Sequence, residues 1–385
     1  SPSAAPVGRR ERLALAVILL VAGVLRLGWP GLSQFRLDEA HIAALALGIA
    51  GGQEFPLWGT QSSVGVYLPP LADYVYALPL AIWKSPLSAV LLTGALNVAG
   101  VAIAWWTARR WWGRAAGLLA AGLLAANPWA VAYSRQVWQP DLMPPLAMAW
   151  LATGLAGFLE GRRGAVPAHL ALLATAANTH FTGALLLPVT LFLAVVGWRR
   201  LRPGEVAGGL ALGGLLSAPY LVYLWRDRAE IARIVGSATA EGAGSGGGVW
   251  GYWRMMLTGD GAHAILGAAS AEWGAGWLLA ERVAAGAVLA LVVGAALAWG
   301  WRMVRGPRDR RAAAGLAVAL WAALPLIAFA RPATPVHIHY LAMALPAGAM
   351  LAASLPAALG AVTALGAGQA LGGRTARGAG TALGA

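Results

Sequence analysis

The sequence predicts an all-α protein that crosses a membrane about ten or eleven times. Three observations carry that prediction. Hydrophobic residues fill 59% of the 385 positions and charged residues only 11%, whereas a soluble domain has roughly 45–50% apolar and about 25% charged residues. The apolar excess recurs along the whole length instead of gathering in one segment, as it does in a polytopic membrane protein. The charges that punctuate the apolar runs favour alternate connections. Cysteine is absent, which excludes a disulfide framework and a thiolate metal site.

In chain order, a polar and basic opening, SPSAAPVGRRER, leads into an apolar run at 13–28. That run has no convincing small-residue cleavage site and reads as a retained helix, not a signal peptide. Further runs follow at 86–108, 115–131, 142–159, 165–179, 182–197, 206–224, 281–301, 312–330 and 340–356, with an eleventh candidate at 357–372. The shortest approach the lower limit for spanning a bilayer, with flanking aromatics extending their reach. Residues 1–372 therefore read as one transmembrane module, followed by a low-complexity tail at 373–385.

The net charge of +13 invites a nucleic-acid reading, but its distribution argues for topology. One set of connections holds Arg9, Arg10 and Arg12, then Arg109, Arg110 and Arg114, Arg162 and Arg163, and Arg199, Arg200 and Arg202. It ends with Arg302, Arg305, Arg308, Arg310 and Arg311, and its only acids are Glu11, Glu160, Glu205 and Asp309. The positive-inside rule makes this set cytoplasmic. Nucleic acid is not an expected partner. Residues suited to chemistry then fall on the other side, so an active site is expected to face outward from a bacterial-type plasma membrane.

Two outward segments are long. Residues 36–85 hold an amphipathic stretch near 39–50, a Gly/Pro-rich turn, and VYLPPLADYVYALPLAIW, which suits the membrane interface. Residues 226–280 form a long outer loop in which Trp250, Tyr252 and Trp253 are placed to anchor in lipid or to cover a site. Its glycine run follows no strand and opens no clear helix, so a phosphate-loop reading is rejected.

Asp38 and Glu39 stand side by side at the exit of the first span. Asp38 fits two roles that are compatible: N-cap of a helix starting at Glu39, or a carboxylate fixed at the membrane edge as a general base. The second outward turn packs Tyr133, Arg135, Gln139 and Asp141 into nine residues. Polar side chains at that depth face a cavity or each other, so an Arg135–Asp141 pair closing the turn is the plainer alternative. His180 sits where two short apolar runs meet, and Arg331, His337, His339 and Tyr340 lie in a later outward turn. A metal shared by His337 and His339 is not expected, because helical residues two apart point about 200° from one another.

The order of RLDEAHIAALALGIA, YLPPLADYVYALPLAIW, AANPWAVAYSRQVWQPDLMPPLAMAW, THFTGALLLP and HIHYLAMALP resembles the GT-C superfamily of membrane glycosyltransferases. It is most similar to the branch of protein O-mannosyltransferases and lipid A aminoarabinose transferases. The resemblance implies a GT-C-like bundle with interfacial helices in its first outer loop. It also implies transfer of a sugar from a polyprenyl-phosphate donor to a hydroxyl of a protein, glycan or lipid. Asp38 matches the family's catalytic acid, with Glu39 beside it, and Tyr133, Arg135 and Asp141 match a turn lining the same cavity. Leu68 stands where the family often has Lys before PP, and His180 where aminoarabinose transferases tend to have Lys; both departures weaken an aminoarabinose or lipid A assignment.

The chemistry agrees. One displacement by a hydroxyl needs one base, and a desolvated Asp38 serves. The departing phosphate needs donors, for which Arg135, Arg331, His180, His339 and Tyr340 are the candidates. Inversion at the anomeric carbon is expected. No metal ligand set is identified, though a divalent ion bridging Asp38 and Asp141 stays open. The alternatives are a flippase or transporter of lipid-linked sugars, disfavoured by the lack of paired halves, and a diphosphate-donor glycan polymerase or ligase.

Overall fold

The computed structural model describes residues 6–62, 65–240, 248–267, 274–306, 309–330 and 336–360. Among them the fold is helical throughout, with one isolated bridge between Gln61 and Tyr67. Arg331, the phosphate-loop candidate at 241–247 and the tail at 373–385 lie outside the described residues.

The first span is α1 (Arg9–Leu27). The outer segment that follows folds into α2 (Leu37–Ala50) and α3 (Leu71–Ile82), which pack on each other. Each turns apolar residues inward, Ile42, Ala43 and Ala46 from α2 and Ala72, Tyr76 and Leu80 from α3. α3 leaves Leu78, Ile82 and Trp83 exposed, the composition of an element lying at headgroup depth.

Ser85 then caps α4 (Pro86–Trp112) through the Leu87 N–H, with Pro86 at the first position, where its missing N–H costs nothing. α4 stops at Gly113, whose φ of 101° excludes most side chains, and α5 (Arg114–Ala126) turns back against it. A short α6 (Pro128–Ala132), capped by Asn127, leads to a 3-10 turn at Gln139–Leu142 that runs into α7 (Met143–Gly154). There follow α8 (Ala165–Thr179), α9 (Leu187–Gly197), α10 (Pro203–Arg226), α11 (Arg228–Ala240), α12 (Val249–Thr258) and α13 (His263–Leu266). The bundle closes with α14 (Ala275–Arg305), α15 (Arg310–Ala328) and α16 (Ile338–Gly360), which opens as a 3-10 turn.

All ten of the primary expected ranges are helical. Among the described residues, seven helices are long and apolar enough to span a membrane. The other three are short or charged: α5 and α8 have 13 and 15 residues, and α1 carries charge at both ends. The eleventh candidate is a continuation of α16 as far as residue 360, beyond which it lies outside the described residues. The spans containing α7 and α16 are 78% and 83% buried, against 17% for α10 and 22% for α14, so the first two are central and the others face lipid. Glycine lets the inner elements touch: a side chain at Gly197 would strike the Phe158 carbonyl, and one at Gly315 the Trp299 ring.

Two expectations for the outer segments are corrected. Asp38 does not cap α2. The helix begins two residues earlier than expected, and Glu39 Oε2 accepts the Arg36 N–H at 2.9 Å. In the 226–280 segment, Trp253 is neither a lipid anchor nor a cover, because its indole is buried and donates to the Ala322 carbonyl at 2.6 Å. α12 thus joins the bundle through a ring too large to leave exposed at a helix crossing.

Candidate active-site cleft

A cleft of about 460 Å³ opens at the end of the bundle where α2 begins, the 138–140 turn lies and α16 starts. Five separated segments build it. Asp38 comes from the first turn of α2, and Thr60, Gln61, Ser62 and Leu68 from the bridged strip before α3. Trp138, Gln139 and Pro140 come from the turn before α7, and His180 and Phe181 from the end of α8. His337, His339 and Tyr340 close it from the start of α16.

The turn before α7 is held from three sides. Tyr76 donates to the Trp138 carbonyl at 2.8 Å, Asn97 to the Asp141 carbonyl at 3.0 Å, and Gln139 to the Thr60 hydroxyl at 2.7 Å. The last bond joins two walls of the cleft. Trp138 lies 4.3 Å from the His339 ring, centroid to centroid, and His339 lies 4.6 Å from Tyr340. The His337 and His339 rings stack at 5.5 Å and 12°. That stacking corrects the helical argument that set them apart. His337 is extended (φ −102°, ψ 148°) and the helix after it opens as a 3-10 turn, so the 200° separation does not apply.

His180 is wholly enclosed, its Nδ1 within 2.8 Å of the Thr182 hydroxyl. Burial holds its pKa down to about 3, so the imidazole is neutral without a ligand. An incoming phosphate would favour its charged form and oppose that burial. Asp38, by contrast, is exposed to the cleft. It is the carboxylate among the described residues that a substrate can reach there.

The remaining expected site residues are elsewhere. Glu39 is buried, and its carboxylate is committed to the start of its own helix. Arg135 turns away from the cleft, its guanidinium donating to the carbonyls of Leu25 (2.6 Å) in the last turn of α1 and of Trp29 (2.9 Å) just beyond it. It therefore binds neither the cleft nor Asp141. Asp141 is fully buried and neither carboxyl oxygen has a hydrogen-bond partner among the described residues. Tyr133 stacks behind Trp138 at 6.4 Å, and burial with Asp141 nearby pushes its phenol pKa up. No arginine or lysine stands among the described lining residues.

Sequence reasoning passed over the wall formed by Thr60, Gln61 and Ser62, hidden in what read only as a Gly/Pro-rich turn. It counted Asp73 among the outward polar residues but gave it no role. That carboxyl lies fully buried behind the wall, with both oxygens unpartnered among the described residues and its pKa raised by burial to about 7. A Cβ at Gly59 would come within 2.5 Å of it. A bridging metal finds no geometric support: Asp141 does not line the cleft, and no three His, Asp or Glu side chains gather as an ion site among the described residues.

Residues 68–223 match the dolichyl-phosphate-mannose-protein mannosyltransferase family. Comparison of the whole sequence with curated proteins gives no match. In three dimensions the chain is similar to ArnT from Cupriavidus metallidurans bound to undecaprenyl phosphate, with a TM-score of 0.61 and 18% identity over 89% of this chain and 59% of that one. It is also similar to the oligosaccharyltransferase AglB from Archaeoglobus fulgidus in complex with an inhibitory peptide and a dolichol-phosphate. There the TM-score is 0.53 and the identity 14%, over 98% of this chain and 52% of that one. A complex of the same archaeal enzyme with zinc and sulfate gives 0.52 and 15%, over 91% and 49%. The chain thus spans about half to three fifths of these structures. Its fold is that of the GT-C glycosyltransferases, as the order of its motifs implied.

Proposed function

We propose that the protein is a glycosyltransferase that moves a sugar from a polyprenyl-phosphate donor to a hydroxyl acceptor at the extracytoplasmic face of the membrane. The observation that carries the reading is convergence: Asp38, His180, His339 and Tyr340, drawn from three separate segments, line one cleft at one end of a GT-C bundle. A mannosyltransferase family match that begins at Leu68, itself in the cleft wall, supports it.

In the proposed reaction Asp38 takes the proton of the acceptor hydroxyl. The acceptor oxygen forms its bond to the anomeric carbon while the bond from that carbon to the donor phosphate oxygen breaks. The electron pair leaves with the phosphate. In this reading His180, His339 and Tyr340 donate hydrogen bonds to the leaving group, which has more charge in the transition state than in the bound donor. Trp138 offers an apolar face against which a sugar ring can lie.

The test is turnover in proteoliposomes with undecaprenyl-phosphate-linked and undecaprenyl-diphosphate-linked sugars supplied in parallel. Transfer from the monophosphate donor, lost in Asp38→Asn, is expected. Transfer from the diphosphate donor alone would replace this reading with a ligase. Sugar-lipid translocation that survives Asp38→Asn, with no transfer, would replace it with a transporter.

A further inference from the structure

A second cleft, of about 700 Å³, lies at the other end of the bundle. Its walls are Arg110 and Trp111 near the end of α4, Glu160 and Arg162 after α7, and Asp309, Arg310 and Arg311 where α15 begins. The spans Gln139–Leu159 and Arg310–Ala328 connect the two ends. At a rise of about 1.5 Å per residue, each separates the clefts by roughly 30 Å, one hydrocarbon thickness. The transfer chemistry makes no use of this second site.

Its charges do not cancel. Glu160 is shared, bonded by Arg110 at 2.7 and 2.8 Å and by Arg162 at 3.0 Å. Asp309 is also taken: Arg302 donates to one oxygen, and the N–H groups of Arg311 and Ala312 to the other. Neither the Arg310 nor the Arg311 guanidinium has an acidic partner among the described residues. Four guanidinium groups thus line a recess with two carboxylates, both already engaged. Arg310 and Arg311 occupy the first turn of α15, where the helix dipole is positive and cations are disfavoured. Behind Asp309, the buried Arg302 keeps Nε and Nη1 without partners among the described residues.

Such a recess calls for an anion with several acceptor oxygens, for which guanidinium forks are well shaped. Its position at the ends of spanning helices, with the Trp111 ring in one wall, puts it at headgroup height. We propose that this cleft binds the phosphate of an anionic phospholipid from the leaflet on the arginine-rich side. A bound lipid would bridge α4, the connection after α7 and α15, and would neutralise the unpaired charge where α15 starts.

The test is native mass spectrometry of the full chain in detergent with added phosphatidylglycerol. It compares the parent, the double variant Arg310→Gln/Arg311→Gln, and Arg9→Gln/Arg10→Gln as a control. The control removes two exposed arginines from the same end but outside the cleft. Arg310 and Arg311 are exposed, so the fold tolerates the change, and lysine at both positions should partly restore binding. The expected result is retained lipid in the parent, at least tenfold weaker retention in the cleft variant, and less than a twofold change in the control. Equal losses in both double variants, or a loss in neither, would overturn the proposal. Displacement of the lipid by an equimolar amount of inorganic phosphate would overturn the lipid assignment in favour of a soluble phosphate.

Discussion

Asp38 and Glu39 adjoin in sequence and part company in structure, and that separation can be tested at each residue. Asp38 is exposed in the cleft, while Glu39 is 3% exposed and accepts the Arg36 N–H at 2.9 Å. Asp38→Asn preserves shape and removes the base. General-base catalysis contributes roughly 10²- to 10⁴-fold, so kcat should fall by about that range with the melting temperature within 1 °C of the parent, a margin set by about ±0.5 kcal/mol for an exposed site. Glu39→Ala removes a helix-start hydrogen bond, which typically costs about 0.5–2 kcal/mol. For a chain of this size that is a fall of about 1–4 °C, with most of the activity of the folded fraction retained. The assays are a thermal melt in detergent and donor turnover at matched folded fractions. If Glu39→Ala abolishes turnover without lowering the melting temperature, while Asp38→Asn remains active, the roles assigned here are reversed.

Arg135→Ala should lower stability by about 1–3 kcal/mol, because two carbonyls at the end of α1 and just past it lose a charged donor; an unchanged melt with a weakened donor KM would return Arg135 to the site. Asp73 should make stability depend on pH. Its folded pKa of about 7 lies above the unfolded value of 3.8, so the folded state holds the extra proton. Its contribution is present below pH 4 and is lost as pH rises through 7. Three units correspond to at most about 4 kcal/mol; melts between pH 5 and 8 should fall for the parent and lie nearly flat for Asp73→Asn. Trp138→Ala should raise the donor KM several-fold by removing the ring 4.3 Å from His339, measured by initial rates across donor concentration.

The spans were legible because bilayer length and apolar composition leave few choices, and each of the ten primary ranges contains a helix. What the sequence concealed was partner choice. Arg135 looked like a phosphate ligand by composition, but its bonds go to carbonyls more than 100 positions away, and no local pattern encodes them. The cap of α2 was misplaced because Arg36 is not a residue type that caps helices, so the signal shifted to Asp38. His337 and His339 were separated by assuming an α-helix where the chain is extended and then 3-10. Asp38, His180, His339 and Tyr340, singled out because one membrane face gathers polar residues at the ends of spans, do line a common cleft, because those ends meet.

The number of carboxylates in the cleft bears on stereochemistry. A double displacement, which retains configuration, uses a second carboxylate about 5 Å from the acid–base residue as a nucleophile. Glu39 is tied to backbone, Asp73 lies behind the Gly59 strip, and Asp141 does not line the cleft. Among the described residues Asp38 is the carboxylate left to act, and a single base supports a single displacement. The product should therefore have the anomeric configuration opposite to the donor's, read from the one-bond carbon–proton coupling of the transferred sugar by NMR. Retention would require a second nucleophile that this arrangement does not supply, and would sink the assignment of Asp38 as base.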